Sequence, residues 1–150
     1  MTSVLAVVTA TVIGLMVGVE FAVAAVLNPI LLRLPAGASL AGRADGGRVL
    51  GRVMPWWYVG SLVLTAALAA ATWGTPAAAT ALVAGLLLAV SVVLSIALLV
   101  PINNRSRTWT AEHHPDDWRE QHRRWDRLHL GRVALIVASF VLVLVAATTL

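Results

Sequence analysis

Apolar residues along this chain fall into four runs, at about 4–32, 56–73, 77–100 and 128–150, separated by two polar connections and one very short turn. Crossing a bilayer's hydrocarbon core takes roughly 20 helical residues. The pattern therefore predicts an all-α integral membrane four-helix bundle, built as one domain over residues 1–150. The first run is too long for a signal peptide and lacks a basic start, so it is expected to be retained. Gly74-Thr75-Pro76 leaves room only for a tight antiparallel hairpin between spans two and three. Trp56, Trp57 and Tyr58 at one end of span two, and Trp73 at the other, read as interfacial anchors.

The polar connections cover 33–55 and 101–127. Within the first, apolar residues spaced among arginines from Ser39 to Met54 predict a short helix feeding span two, with Pro55 near the junction. Gly46, Gly47 and Gly51 weaken that helix. In the second, Pro115 followed by Asp116 and Asp117 supplies a preset φ and negative charge, which suits a helix start. Together these pieces predict a short membrane-proximal helical cap. Pro29 and Pro101 lack an N–H and are expected to bend or end their helices. The two halves share a loose scheme of span, proline-containing end, arginine-rich connection and span.

Composition agrees with this reading. Hydrophobic residues make up 59% and charged residues 12% of the chain, against about 25% charged in a soluble domain. There is no cysteine, which excludes disulfides, thiolate metal sites and cysteine nucleophiles. All 11 basic side chains of the Lys/Arg type are arginines, and every one lies in or beside the two longer connections. The positive-inside rule assigns those connections to the cytoplasm, so both termini of a multi-pass plasma-membrane protein are expected outside. Arginines beside apolar spans anchor to the lipid bilayer; they do not form the soluble basic face that nucleic acid requires.

Glu20 is the sole ionisable residue well inside a span, a position that by default marks a functional group. It shares a helix face with Ala24, Leu27 and Leu31, with Asn28 at its edge. On another side Ala10, Gly14, Gly18 and Ala22 recur every four residues. Such a stripe serves either an intramolecular contact or a homo-oligomer. Ser91 and Ser95 can bond their own preceding carbonyls and carry no expected role. At the end of span three, Asn103 and Asn104 either cap the helix or orient a ligand. Helical spacing places His122, Trp125, His129 and Arg132 near one face, with Asp126 at its flank. His129, His122 and Asp126, joined by Glu20, resemble the imidazole-plus-carboxylate sets that hold a redox metal such as iron or copper. A carboxylate beside His129 equally suits fixing its tautomer for acid–base work. Arg123, Arg124 and Arg127 read as anchors, and His113 and His114 as connection residues.

These residues also resemble a known family. Pro101, Asn103, Asn104 and Arg105 at the end of a third span, then Trp125-Asp126-Arg127-Leu128-His129 and Arg132 opening a fourth, are similar to the anthrone oxygenases, small four-span membrane proteins of polyketide biosynthesis. The stretch Gly14 to Leu31 resembles that family's first helix. The resemblance implies an oxidoreductase acting on a small hydrophobic aromatic substrate, whose activated methylene is oxidised by O₂, with or without a metal, to a quinone carbonyl. It implies His129 as base, oriented by Asp126 or Glu20. Arg132, Asn103 and Asn104 would stabilise the substrate oxyanion, and Trp125 would stack on the ring. Two other readings stay open: a metal- or cofactor-binding redox protein, and an accessory subunit or small transporter. A transporter would put its polar groups nearer the midplane.

Overall fold

A computed structural model describes residues 1–150 as four long helices with no strand. They are α1 (Thr2–Arg33), α2 (Ala36–Ala71), α3 (Pro76–Ser106) and α4 (Trp118–Thr148), and each is long and apolar enough to cross a membrane. Helices of 31 to 36 residues extend about 46–54 Å, well beyond a hydrocarbon core of about 30 Å. Every helix therefore projects from the apolar layer. The four close a ring in which α1 packs on α2 and α4, and α3 on the same two. Ile13, Met16, Leu68, Leu88, Ile136 and Val143 fill its interior, while Val7, Leu15, Val63 and Leu86 point outward, as a lipid-facing surface requires.

Two local expectations need correcting. Helix α2 is one unbroken helix through Pro55, in place of a short helix joined to a span. Several of its glycines make room for close packing: a Cβ on Gly42 would lie 2.8 Å from Leu31, one on Gly47 3.0 Å from Asn103, and one on Gly51 2.8 Å from Arg107, whereas one on Gly46 meets nothing within 4 Å. The ends of α1 and α3 press against the polar half of α2, and that contact holds the helix where propensity does not. Neither Pro29 nor Pro101 ends its helix. Each follows a widened π turn, Val23–Leu27 and Ser95–Leu99, closed by bonds from the Asn28 N–H to the Val23 carbonyl and from the Val100 N–H to the Ser95 carbonyl. The extra residue in the turn absorbs the missing proline donor, so the helix continues.

The aromatic residues of span two divide. Trp56 and Trp73 are exposed, but the Trp57 indole N–H donates to the Val12 carbonyl at 2.9 Å, and Tyr58 is buried. Successive helical residues turn by 100°, so three neighbours at one level of the helix cannot all face outward. The small-residue stripe divides too. A Cβ on Gly14 would touch the Phe140 ring at 3.1 Å, whereas one on Gly18 meets nothing within 4 Å. Gly74, at φ +85°, makes the α2–α3 turn, and Pro76 begins α3. Helix α4 starts at Trp118, directly after Asp116 and Asp117.

Candidate functional site

Glu20 is buried on the inner face of α1, and its carboxylate is met from two helices. The Tyr58 hydroxyl donates to Oε1 at 3.1 Å, and Arg132 Nη2 donates to Oε2 at 2.5 Å. Arg132 also donates through Nη1 to Ser95 Oγ at 2.9 Å, and the Ser95 hydroxyl donates in turn to the Ser91 carbonyl at 2.7 Å. A single ion pair thus links α1, α2, α3 and α4. In a medium without water, burying both charges is tolerable only because each is paired and hydrogen-bonded.

His129 completes the network. Nε2 lies 3.3 Å from the Glu20 carbonyl, and Nδ1 lies 3.0 Å from Arg132 Nη2. The guanidinium can only donate, so Nδ1 accepts and Nε2–H donates to the carbonyl; one neutral tautomer satisfies both. Trp125 stacks on the imidazole with ring centroids 4.8 Å apart and 15° between planes. Its indole N–H donates to the Leu99 carbonyl, at the end of the second π turn, at 3.2 Å. His129 is held on both nitrogens and one face.

A second polar group sits nearer the arginine-rich end. Both oxygens of Asp126 accept from Arg43, at 2.9 Å each, and Arg43 also reaches the Asn28 carbonyl at 3.2 Å. Asp126 therefore does not orient His129; the carboxylate beside that ring is Glu20, 3.5 Å from Nε2. His122, a turn before Asp126, is buried between Trp109 and Trp118, with ring centroids 5.4 and 5.7 Å away. Neither of its nitrogens has a partner, and Asn28 Nδ2, Ser39 Oγ and Arg43 Nε are also buried without one. In the Glu20 network only Arg132 Nε is in that position. The four residues considered as metal ligands are split between these two groups, and no three His, Asp or Glu side chains converge as a ligand set. Asn103 lies against Gly47, Asn104 is exposed, and neither side chain joins the Glu20 network.

A cavity of about 310 Å³ opens between α3 and α4. Leu94, Leu98 and Leu99 form one wall and Leu128, Gly131 and Leu135 the other, with Arg127 and Arg132 as its charged groups. The Arg132 side chain is 12% exposed, while Glu20 behind it is 4% exposed. A second cavity of about 320 Å³, between α2 and α3, is lined by residues such as Leu62, Ala69 and Leu86 and has no polar side chain.

Tyr58, Ser95 and Arg43 enter these networks although none of them carries a site role in the sequence pattern: Tyr58 reads there as an interfacial anchor and Ser95 as a locally bonded serine. Fold and site together define a small multi-pass membrane protein with a charged hydrogen-bond network buried where its four helices meet. The chain belongs to the anthrone oxygenase family: residues 52–142, more than half its length, match the family described as Anthrone oxygenase. No curated protein and no solved structure matches it. The matched stretch carries Tyr58, Ser95, Trp125, His129 and Arg132, and stops short of Glu20, Asn28 and Arg43.

Proposed function

We propose that this chain oxidises an enolisable polycyclic aromatic ketone of the anthrone type with O₂, at the Glu20–Arg132 pair. One observation carries the reading: an apolar cleft between two spans has, as its inner charged group, an arginine already held by a buried carboxylate. Such a cleft suits a flat hydrophobic molecule, and the guanidinium suits the oxygen that becomes negative when an activated methylene loses a proton. Glu20, the one buried carboxylate, takes that proton. The carbanion then gives its electrons to O₂, forming a C–O bond and, after protonation, a hydroperoxide. Loss of the second hydrogen from the same carbon with cleavage of the O–O bond yields the ketone and water. Substrate and O₂ balance this reaction without a further reductant.

His129 has no free nitrogen for the base role expected of it from the family resemblance. Its place in the scheme is to position Arg132 through Nδ1 and Glu20 through the carbonyl contact. Trp125 backs that ring and is a positioning residue as well. The test is oxygen uptake by protein in lipid nanodiscs supplied with anthrone. One O₂ should disappear per anthraquinone formed, and Glu20→Gln should slow turnover by about 10²-fold or more. Full turnover in Glu20→Gln would rule the carboxylate out as base.

A further inference from the structure

We propose that the aromatic ketone reaches Arg132 sideways from the bilayer, between α3 and α4, and that Gly131 sets the size of molecule admitted. The inference rests on the oxygenase reading for its ligand class and on independent geometry for its route. At about 310 Å³ the cleft lies at the small end of ligand sites. Its walls are leucines from two membrane-spanning helices, so its mouth faces the solvent in which a fused-ring ketone concentrates.

Gly131 stands in the middle of the α4 wall, one turn from Leu128 and Leu135. A Cβ there would meet nothing within 4 Å, in contrast with Gly14, where it would strike Phe140. Packing within the chain does not demand glycine at 131, and glycine weakens a helix interior. The space it leaves open lies directly beside Arg132. Opposite, the π turn Ser95–Leu99 forms the other wall, pinned by the bond from Trp125 to the Leu99 carbonyl. The α3 wall is thereby tied to α4, and the free width beside Arg132 depends on what side chain occupies 131. Charge selects the occupant. An acyl chain fits the leucines but offers nothing to the guanidinium, whereas an enolised or phenolic ring system presents its oxygen to Arg132.

The experiment uses a dihydroxyanthraquinone, a probe resembling the oxidised product, titrated against protein-loaded and empty nanodiscs. Gly131→Ala should bind within about threefold of wild type, while Gly131→Leu and Gly131→Phe should bind on the order of tenfold or more weaker, with unchanged thermal unfolding. Equal binding by wild type and Gly131→Phe overturns the proposal. So does loss of co-purified phospholipid in Gly131→Leu with probe affinity unchanged, which would make the cleft a lipid site. A wild type that binds no more probe than empty discs overturns it as well. The two readings fail separately. Normal anthrone turnover in Gly131→Phe removes the lateral route and leaves the oxygenase. Graded probe binding without any turnover removes the oxygenase and leaves the route.

Discussion

Two ion pairs tie α4 to other helices of this bundle, Glu20–Arg132 in the interior and Arg43–Asp126 half-buried, and they are satisfied very differently. Around Glu20 and Arg132, a tyrosine, a serine, a histidine and a backbone carbonyl take up almost every donor and acceptor, with Arg132 Nε the one left over. Around Arg43 and Asp126, the two charges bond each other well, but five surrounding polar atoms on Asn28, Ser39, Arg43 and His122 have no partner. The first group borders an apolar cleft among the spans; the second ties the polar half of α2 to α4 across the ring through the two side chains alone. On the proposed function, the difference marks the Glu20–Arg132 pair as the one suited to chemistry. A charge in lipid must be well ordered to be tolerated, and in the proposed reaction that order would aim the guanidinium at a substrate oxygen. Near the membrane surface the chain tolerates loose ends, so the Arg43 pair serves as a clasp.

The largest effect should come from removing one charge of the ordered pair. Arg132→Gln leaves the Glu20 carboxylate buried with only Tyr58 as a donor, and stability should fall by about 3–5 kcal/mol. Thermal unfolding in nanodiscs reads this directly, and a change below 1 kcal/mol would mean the pair is not buried as described. Breaking the clasp should matter less, because the Asp126 side chain keeps 20% of its surface exposed. Arg43→Leu should destabilise by about 2 kcal/mol, with the loss readable as faster amide exchange in residues 36–54. The smallest effect is predicted for His122→Phe. Replacing a ring whose two nitrogens lack partners with an apolar ring of similar shape should leave stability within about 1 kcal/mol of wild type, or raise it. A larger drop would show that His122 is hydrogen-bonded after all and erase the contrast between the two regions.

Much of this architecture is legible in the sequence because lipid imposes a simple rule: spans must be long, apolar and helical. The sidedness of the arginines is equally plain. Glu20, His129 and Arg132 stand out for a related reason, since each is polar or charged within or directly beside an apolar run. What stays hidden depends on rotation and long-range contact. Tyr58 reads as an interfacial aromatic beside Trp56 and Trp57, yet a 100° step per residue turns it inward onto a carboxylate 38 positions away. Ser95 has an ordinary local bond to Ser91 that conceals its second role as acceptor for Arg132. Arg43 looks like one more anchor, and its pairing with Asp126 spans 83 positions, beyond any local pattern. That pairing also removes Asp126 from His129, which i, i+3 spacing alone would have kept as neighbours. The π turns before Pro29 and Pro101 are invisible for the same reason: proline announces a lost bond, and only the packed helix decides how the loss is absorbed.

The central claim is that the ordered pair performs chemistry while the clasp only holds the fold. The most direct measurement is anthrone-dependent oxygen uptake per folded molecule in nanodiscs for Arg132→Lys and Arg43→Lys side by side. Lysine keeps each charge but loses the planar fork that reaches several acceptors at once. Turnover should fall by about 10²-fold in Arg132→Lys. Arg43→Lys should stay within about threefold of wild type while melting earlier. Equal losses in the two variants, or a larger loss for Arg43→Lys, would contradict that claim.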